Sequence, residues 1–166
     1  MPINEARLWA RVGMLAALAL VLGYVETFIP LPVPVPGIKL GLGNIAVLVA
    51  LKTLDFRHAA VVAVLKVLAS GLLFGNPMMM AYSAAGTALA FAAMAAFCAV
   101  PGLSVVLVAI AGAVSHNVGQ LVVASLMLGT TLVWVAAPVL AIAACITGAL
   151  TGVAVKYTLD SLGEGV

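Results

Sequence analysis

Lys66 stands in the middle of an apolar run, Ala59 to Gly75, that holds no other charge. A cation at that depth in hydrocarbon costs about 2.5–3.5 kcal/mol. Chains keep such a residue where it meets a wet cavity, a counter-charge or a ligand. The structural alternative is a lysine that snorkels to the interface, which is harder from mid-span. Lys66 therefore marks the interior of a candidate binding site within a membrane.

Other polar groups are expected to converge on it. Glu26 falls near the end of the first apolar run, Lys39 and Asn44 at the start of the second, and Asn76 just after the third. Intramembrane polar groups that gather from several helices point to a site. Two lysines against one glutamate favour a small anionic or zwitterionic ligand. A structural ion pair of Glu26 with Lys39 or with Lys66 is the alternative, and the residues leave that choice open.

The densest polar group is His116-Asn117-Val-Gly119-Gln120. His116 and Gln120 are four apart and share a helix face, with Asn117 about 100° round. These side chains offer directional donors and acceptors without fixed charge, suited to a ligand or to helix–helix hydrogen bonds. Gly112 and Gly119 flank the face and admit a backbone or a ligand. No metal site is expected, since His58 falls in a turn across the membrane and no Cys joins His116. Cys98 and Cys145 lie apart in apolar runs and read as small buried hydrophobes. No cofactor is expected.

These residues need helices to place them. About 20 apolar residues cross a bilayer as a helix. The runs predict six spans: 8–28, 38–54, 59–74, 78–100, 103–128 and 132–157. Four prolines within residues 29–37 forbid a helix there and predict an extended lid. The second span is short, and its Gly41 and Gly43 predict an irregular start. Pro138 falls in the first half of the sixth span, where a local kink is tolerable. Residues 1–157 read as one transmembrane helical domain and 158–166 as a short polar tail. Arg7 and Arg11 precede an apolar stretch, as in a signal peptide, but no small-residue cleavage motif follows, so a retained first helix is expected. Ala6, Ala10, Gly13 and Ala17 form a stripe of small residues along it. Such a stripe packs a helix closely, within the bundle or against a separate membrane subunit. Met78–Met80 read as core or lipid contact.

Composition agrees. The chain is 66% hydrophobic and 7% charged, with a mean hydropathy of +1.32, whereas soluble domains carry about 25% charged residues. The fold class expected is an all-α integral membrane bundle. A net charge of +2 is too small to argue for nucleic acid. With six spans, Arg7, Arg11, Lys52, Arg57 and Lys156 gather on one side and Lys39 on the other. By the positive-inside rule both termini are cytoplasmic in a cell membrane, and the polar groups lie toward the outer half.

Three segments together, Pro36-Gly-Ile-Lys-Leu-Gly-Leu-Gly-Asn44, Ser83-x-x-Gly86 and Gly112-Ala-x-x-His-Asn-x-Gly-Gln120, carry a resemblance. The chain resembles the family labelled heptaprenyl diphosphate synthase component I, also called the Gx transporter family, over nearly its whole length. That family is related to the substrate-binding S components of energy-coupling factor (ECF) transporters. The resemblance implies six helices and a vitamin-like micronutrient bound at the outer face. It also implies toppling in the membrane, driven by a coupling subunit and two ATPases. In such proteins small residues of the first helix contact the coupling subunit, and Ala6 and Ala10 match that pattern. Lys66 stands where an arginine is expected in many relatives, and a lysine cannot make the forked contact of a guanidinium.

The synthase label can be set against the residues. Prenyl synthases hold magnesium and diphosphate with Asp-rich motifs, and this chain has only Asp55 and Asp160, in separate segments of the chain. It also lacks a phosphate-binding Gly-x-x-x-x-Gly-Lys-Ser/Thr loop. No catalytic role is expected, and uphill transport would need a partner's ATPase. The expected role is an S-component-like substrate-binding subunit, with a small-molecule substrate, membrane lipid, a coupling subunit and ATPases as partners. The alternatives are a non-catalytic membrane subunit of a prenyl diphosphate synthase system, or an autonomous carrier in which Glu26 and His116 titrate.

Overall fold

The computed structural model describes residues 5–29 and 38–163. It contains six α-helices and one short 3-10 turn, with no strand among the described residues. These are α1 (Glu5–Glu26), α2 (Asn44–Thr53), α3 (Phe56–Phe74), α4 (Pro77–Cys98), α5 (Val105–Leu128) and α6 (Ala137–Ser161). The all-α membrane bundle is borne out: five helices are long and apolar enough to cross a membrane, the exception being α2. The proline-rich lid expected over residues 29–37 lies, apart from Ile29, outside the described residues.

Local chemistry sets the boundaries. Asp55, Asn76 and Ser104 are the N-caps of α3, α4 and α5, each accepting a backbone N–H from three residues on. Such a cap satisfies one of the donors that a helix start leaves open. Pro77 and Pro138 both sit in first turns, where a missing N–H costs nothing. The sixth span therefore departs from the sequence expectation. Instead of one kinked helix over 132–157, a 3-10 turn over Leu132–Ala136 leads into α6, which continues to Ser161. The second span also differs. Only Asn44–Thr53 is helical, about 15 Å long, half a bilayer core. Gly41 has a φ of +87°, outside the helical range and open to glycine without strain.

Short α2 is the axis of the bundle. It packs against every other α-helix, and the rest form a ring in the order α1, α3, α4, α5, α6. Among the described residues α1 and α6 do not touch, so the ring is open between them. Glycine brings the ring helices close. A Cβ on Gly119 would stand 2.6 Å from the Ala85 carbonyl oxygen, and one on Gly152 would stand 2.6 Å from Val106 Cα. These contacts draw α4 to α5 and α5 to α6, as small residues do where lipid gives no hydrophobic drive. On α1, Val12, Leu15, Ala19, Gly23 and Glu26 face inward. Ala6, Ala10, Gly13 and Ala17 lie on the opposite, exposed face. The small-residue stripe thus faces away from the bundle.

Aromatic side chains mark both ends. Trp9 meets His58 edge-on at 5.3 Å, while Tyr24 lies 4.5 Å from Phe74. Trp9 and Tyr24 are about 22 Å apart along α1. Aromatic rings at that separation suit two membrane interfaces.

Candidate functional site

The site is built where the irregular stretch 38–43 dives beside α1 toward the start of α2. A Cβ on Gly43 would stand 2.8 Å from the Ala19 carbonyl oxygen and 2.8 Å from Lys66 Cε. Ala19 is seven residues below Glu26, so this strap descends about 10 Å into the bundle. A strap that deep cannot leave its peptide groups unpaired without cost. The sequence supplies side-chain partners for them from two helices, α1 and α5.

Glu26, at the end of α1, accepts the backbone N–H of Gly41 and, at 3.1 Å, that of Leu42. Gln120 of α5 clasps the main chain of Lys39 at both ends. Its Oε1 accepts from the Lys39 N–H at 2.8 Å, and its Nε2 donates to the Lys39 carbonyl at 2.6 Å. Lys66 Nζ donates to Asn44 Oδ1 at 2.6 Å and to Thr87 Oγ1 at 3.1 Å. His116 lies between two glycines: a Cβ on Gly41 or on Gly86 would stand 2.8 Å from its ring. Asn117 Nδ2 donates to the Leu140 carbonyl of α6 at 2.9 Å, a helix–helix bond.

Glu26, Asn44, Lys66, His116, Asn117 and Gln120 are all buried, and Lys39 is partly so. Asn76 stands apart. It is exposed, and its side chain is occupied in capping α4 through the Met79 N–H. Its position beyond α3 puts it more than about 10 Å along the bundle from Lys66. Thr87 was not singled out from the sequence, nor was the main chain of Gly41 and Leu42. Thr87 was legible as a hydroxyl in an otherwise apolar helix, four residues after Ser83. The peptide N–H groups of a strap carry no such signal.

The electrostatics are unusual. Among the described residues no carboxylate lies within 4 Å of Lys66 or Lys39, and the one ion pair is His58 with Asp55. Glu26 is thus paired with neither lysine. The Lys66 ammonium, 5% exposed, has two neutral acceptors for three N–H donors. Asn44 Nδ2, His116 Nδ1 and Tyr82 Oη are buried without a hydrogen-bond partner. Native interiors leave few such atoms, and each calls for an explanation.

The outward-opening pocket expected around these residues is closed. Residues 39–43 occupy it, held there by Glu26 and Gln120, two of the side chains expected to take a ligand. What remains beside Gly41 and Asn44 is a cavity of about 10 Å³, reached by Thr147 and Thr151 of α6, room for about one water. A hollow of about 240 Å³ between α3 and α4 opens on the other side of Lys66 and is almost wholly apolar, with Thr87 in its lining. No group of three or more His, Cys, Asp or Glu capable of holding a metal occurs among the described residues.

Five long apolar helices around a buried polar core define a multi-pass all-α membrane protein with an internal polar site. The sequence model of the heptaprenyl diphosphate synthase component I family matches residues 15–158. The chain belongs to that family, the one its motifs resemble. No curated protein and no solved structure matches it.

Proposed function

We propose that this chain is an S-component-like substrate-binding subunit. It would capture a small anionic or zwitterionic micronutrient for uptake, energised by a partner coupling subunit and ATPases. One observation carries the reading: a buried ammonium, Lys66, with no carboxylate within ion-pairing distance among the described residues. A fold that needed only a neutral core would gain by an apolar residue there. An unpaired buried cation instead attracts an anionic group. The strap gives entry a physical form. Its bonds to Glu26 and Gln120 can be exchanged for bonds to a ligand. The site residues on this reading are Glu26, Lys39, Asn44, Lys66, His116 and Gln120, with Asn117 as a support from α6.

The outward-facing stripe Ala6, Ala10, Gly13 and Ala17 supports the partner half of the proposal. A Cβ on Gly13 would meet nothing within 4 Å, so the face is smooth at that point. A coupling subunit could pack there at short range. The cluster of Arg7, Arg11, Lys52, Arg57 and Lys156 favours an orientation with both termini in the cytoplasm of a cell membrane.

The family's name favours a second reading, a non-catalytic membrane subunit that anchors a prenyl diphosphate synthase. The two readings separate on purification. Mass spectrometry of the gently solubilised protein should find a retained small molecule, lost in Lys66→Ala and His116→Ala. Unchanged retention in both variants rejects this pocket. Co-purification with a prenyl synthase, and not with an ATPase, selects the second reading.

A further inference from the structure

The open side of the ring, between α1 and α6, contains a third cavity, of about 120 Å³, lined by Arg11, Met14, Leu15, Val49, Thr53 and Leu162. It lies at the basic end of the bundle, on the far side of α2 from the polar site's entrance. Its walls are apolar except at one rim, where Arg11 and Thr53 stand. The Thr53 hydroxyl donates to the Val49 carbonyl at 2.9 Å, leaving oxygen lone pairs free to accept but no proton to give. Arg11 is therefore the rim's donor. It is exposed, and no ion pair or hydrogen bond engages it among the described residues.

Arg7 lies four residues earlier, on the same helix face. Like charges at that spacing repel, by about 0.2–0.5 kcal/mol. Among the described residues the acidic groups of this end do not relieve them: Asp55 is held by His58, and neither Glu5 nor Asp160 comes within 4 Å of a basic group. An anion bridging Arg7 and Arg11 would. The guanidinium fork matches phosphate oxygens, and the adjoining cavity far exceeds the roughly 10–15 Å³ that one water requires.

We propose that this cavity binds a phosphate-bearing amphiphile. The phosphate would sit on Arg11 and Arg7, and an apolar chain would run between α1 and α6 over Leu15 and Val49. The chemistry recognised is a phosphate group with an attached hydrocarbon, supplied either by a bilayer phospholipid or by a soluble phosphate compound. Nothing in it depends on the polar site around Lys66.

Native mass spectrometry of the full chain in a non-ionic detergent tests this. The protein is titrated with phosphatidylglycerol, with phosphatidylcholine of the same chains, and with inorganic phosphate and pyrophosphate. The expected result is one phosphatidylglycerol per chain, held at least tenfold more tightly than phosphatidylcholine and weakened by added salt. Arg11→Gln should lose that preference, Arg11→Lys should keep part of it, and Arg57→Gln should leave it intact. Val49→Phe, which fills the cavity, should weaken binding while both arginines remain. Displacement by millimolar pyrophosphate assigns the site to soluble phosphates; resistance to it assigns the site to lipid. Equal binding of the two lipids, or a preference that survives Arg11→Gln in a chain that still elutes as a folded species, overturns the proposal.

Discussion

Replacing Lys66 by methionine separates a ligand-binding lysine from a structural one. The side chains are similar in length, so packing is nearly conserved. The change removes a buried charge whose placement in hydrocarbon costs about 2.5–3.5 kcal/mol. It also strips partners from Asn44 Oδ1 and Thr87 Oγ1, at about 1–3 kcal/mol for each buried group left unsatisfied. The Thr87 hydroxyl can turn to its own helix carbonyls, which keeps its share at the low end. The terms oppose one another, and the net change in stability should fall within about 1.5 kcal/mol of zero. Loss of one partner from a buried ion pair costs about 3–5 kcal/mol, so a structural ion-pair role would show clearly. Binding should behave otherwise. A charge-assisted hydrogen bond contributes about 1.5–3 kcal/mol, so affinity for an anionic ligand should drop roughly 10- to 100-fold. Thermal unfolding in detergent, followed by circular dichroism, reads the first quantity. Ligand carried through purification, quantified by mass spectrometry, reads the second. A strongly destabilised Lys66→Met protein that still retains its ligand would refute the reasoning on both counts.

The strap and the basic end yield two further predictions. Gly41→Ala should dislodge the strap, because its φ of +87° disfavours a side chain and the new Cβ would fall 2.8 Å from His116. A cysteine at Leu42 should then react faster with a water-soluble maleimide than in the Gly41 background; equal rates would show that the strap is not held at this point. Asp55 caps α3 and is held below its ordinary value of 3.8, chiefly by the His58 N–H and then by the His58 ring. A depressed carboxyl stabilises the fold fully at neutral pH and loses that contribution as pH falls through its folded-state value. Asp55→Asn should therefore unfold at a lower temperature than the parent at pH 7, with the gap narrowing below pH 3.8; a gap that does not change with pH would contradict the assignment.

Much of the site was legible because charge in an apolar run is conspicuous. Lys66, Glu26 and the His116–Gln120 group stood out on that ground and are brought together. Asn76 was grouped with them by its distance along the chain, but a polar residue just before Pro77 is equally a helix cap, and that is its role here. The pairing of Glu26 was open between two lysines and went to neither. Peptide N–H groups of the strap took its carboxylate, and main-chain donors are the same in every sequence. The glycines of α6, Gly148 and Gly152, were passed over as part of an apolar run, yet they set its approach to α5.

Hydropathy and charge along the chain determined that this is a helical membrane bundle, which end is basic, and which few polar groups lie within it, since each follows from transfer energies of single residues. Only the tertiary structure decided that the second helix is half a span long. It alone placed the preceding strap inside the bundle and the small-residue stripe on the outside, and it alone left the ring open between α1 and α6. Those outcomes depend on which backbone group or helix face lies across from which, and segments far apart in sequence acquire that relation only by packing together.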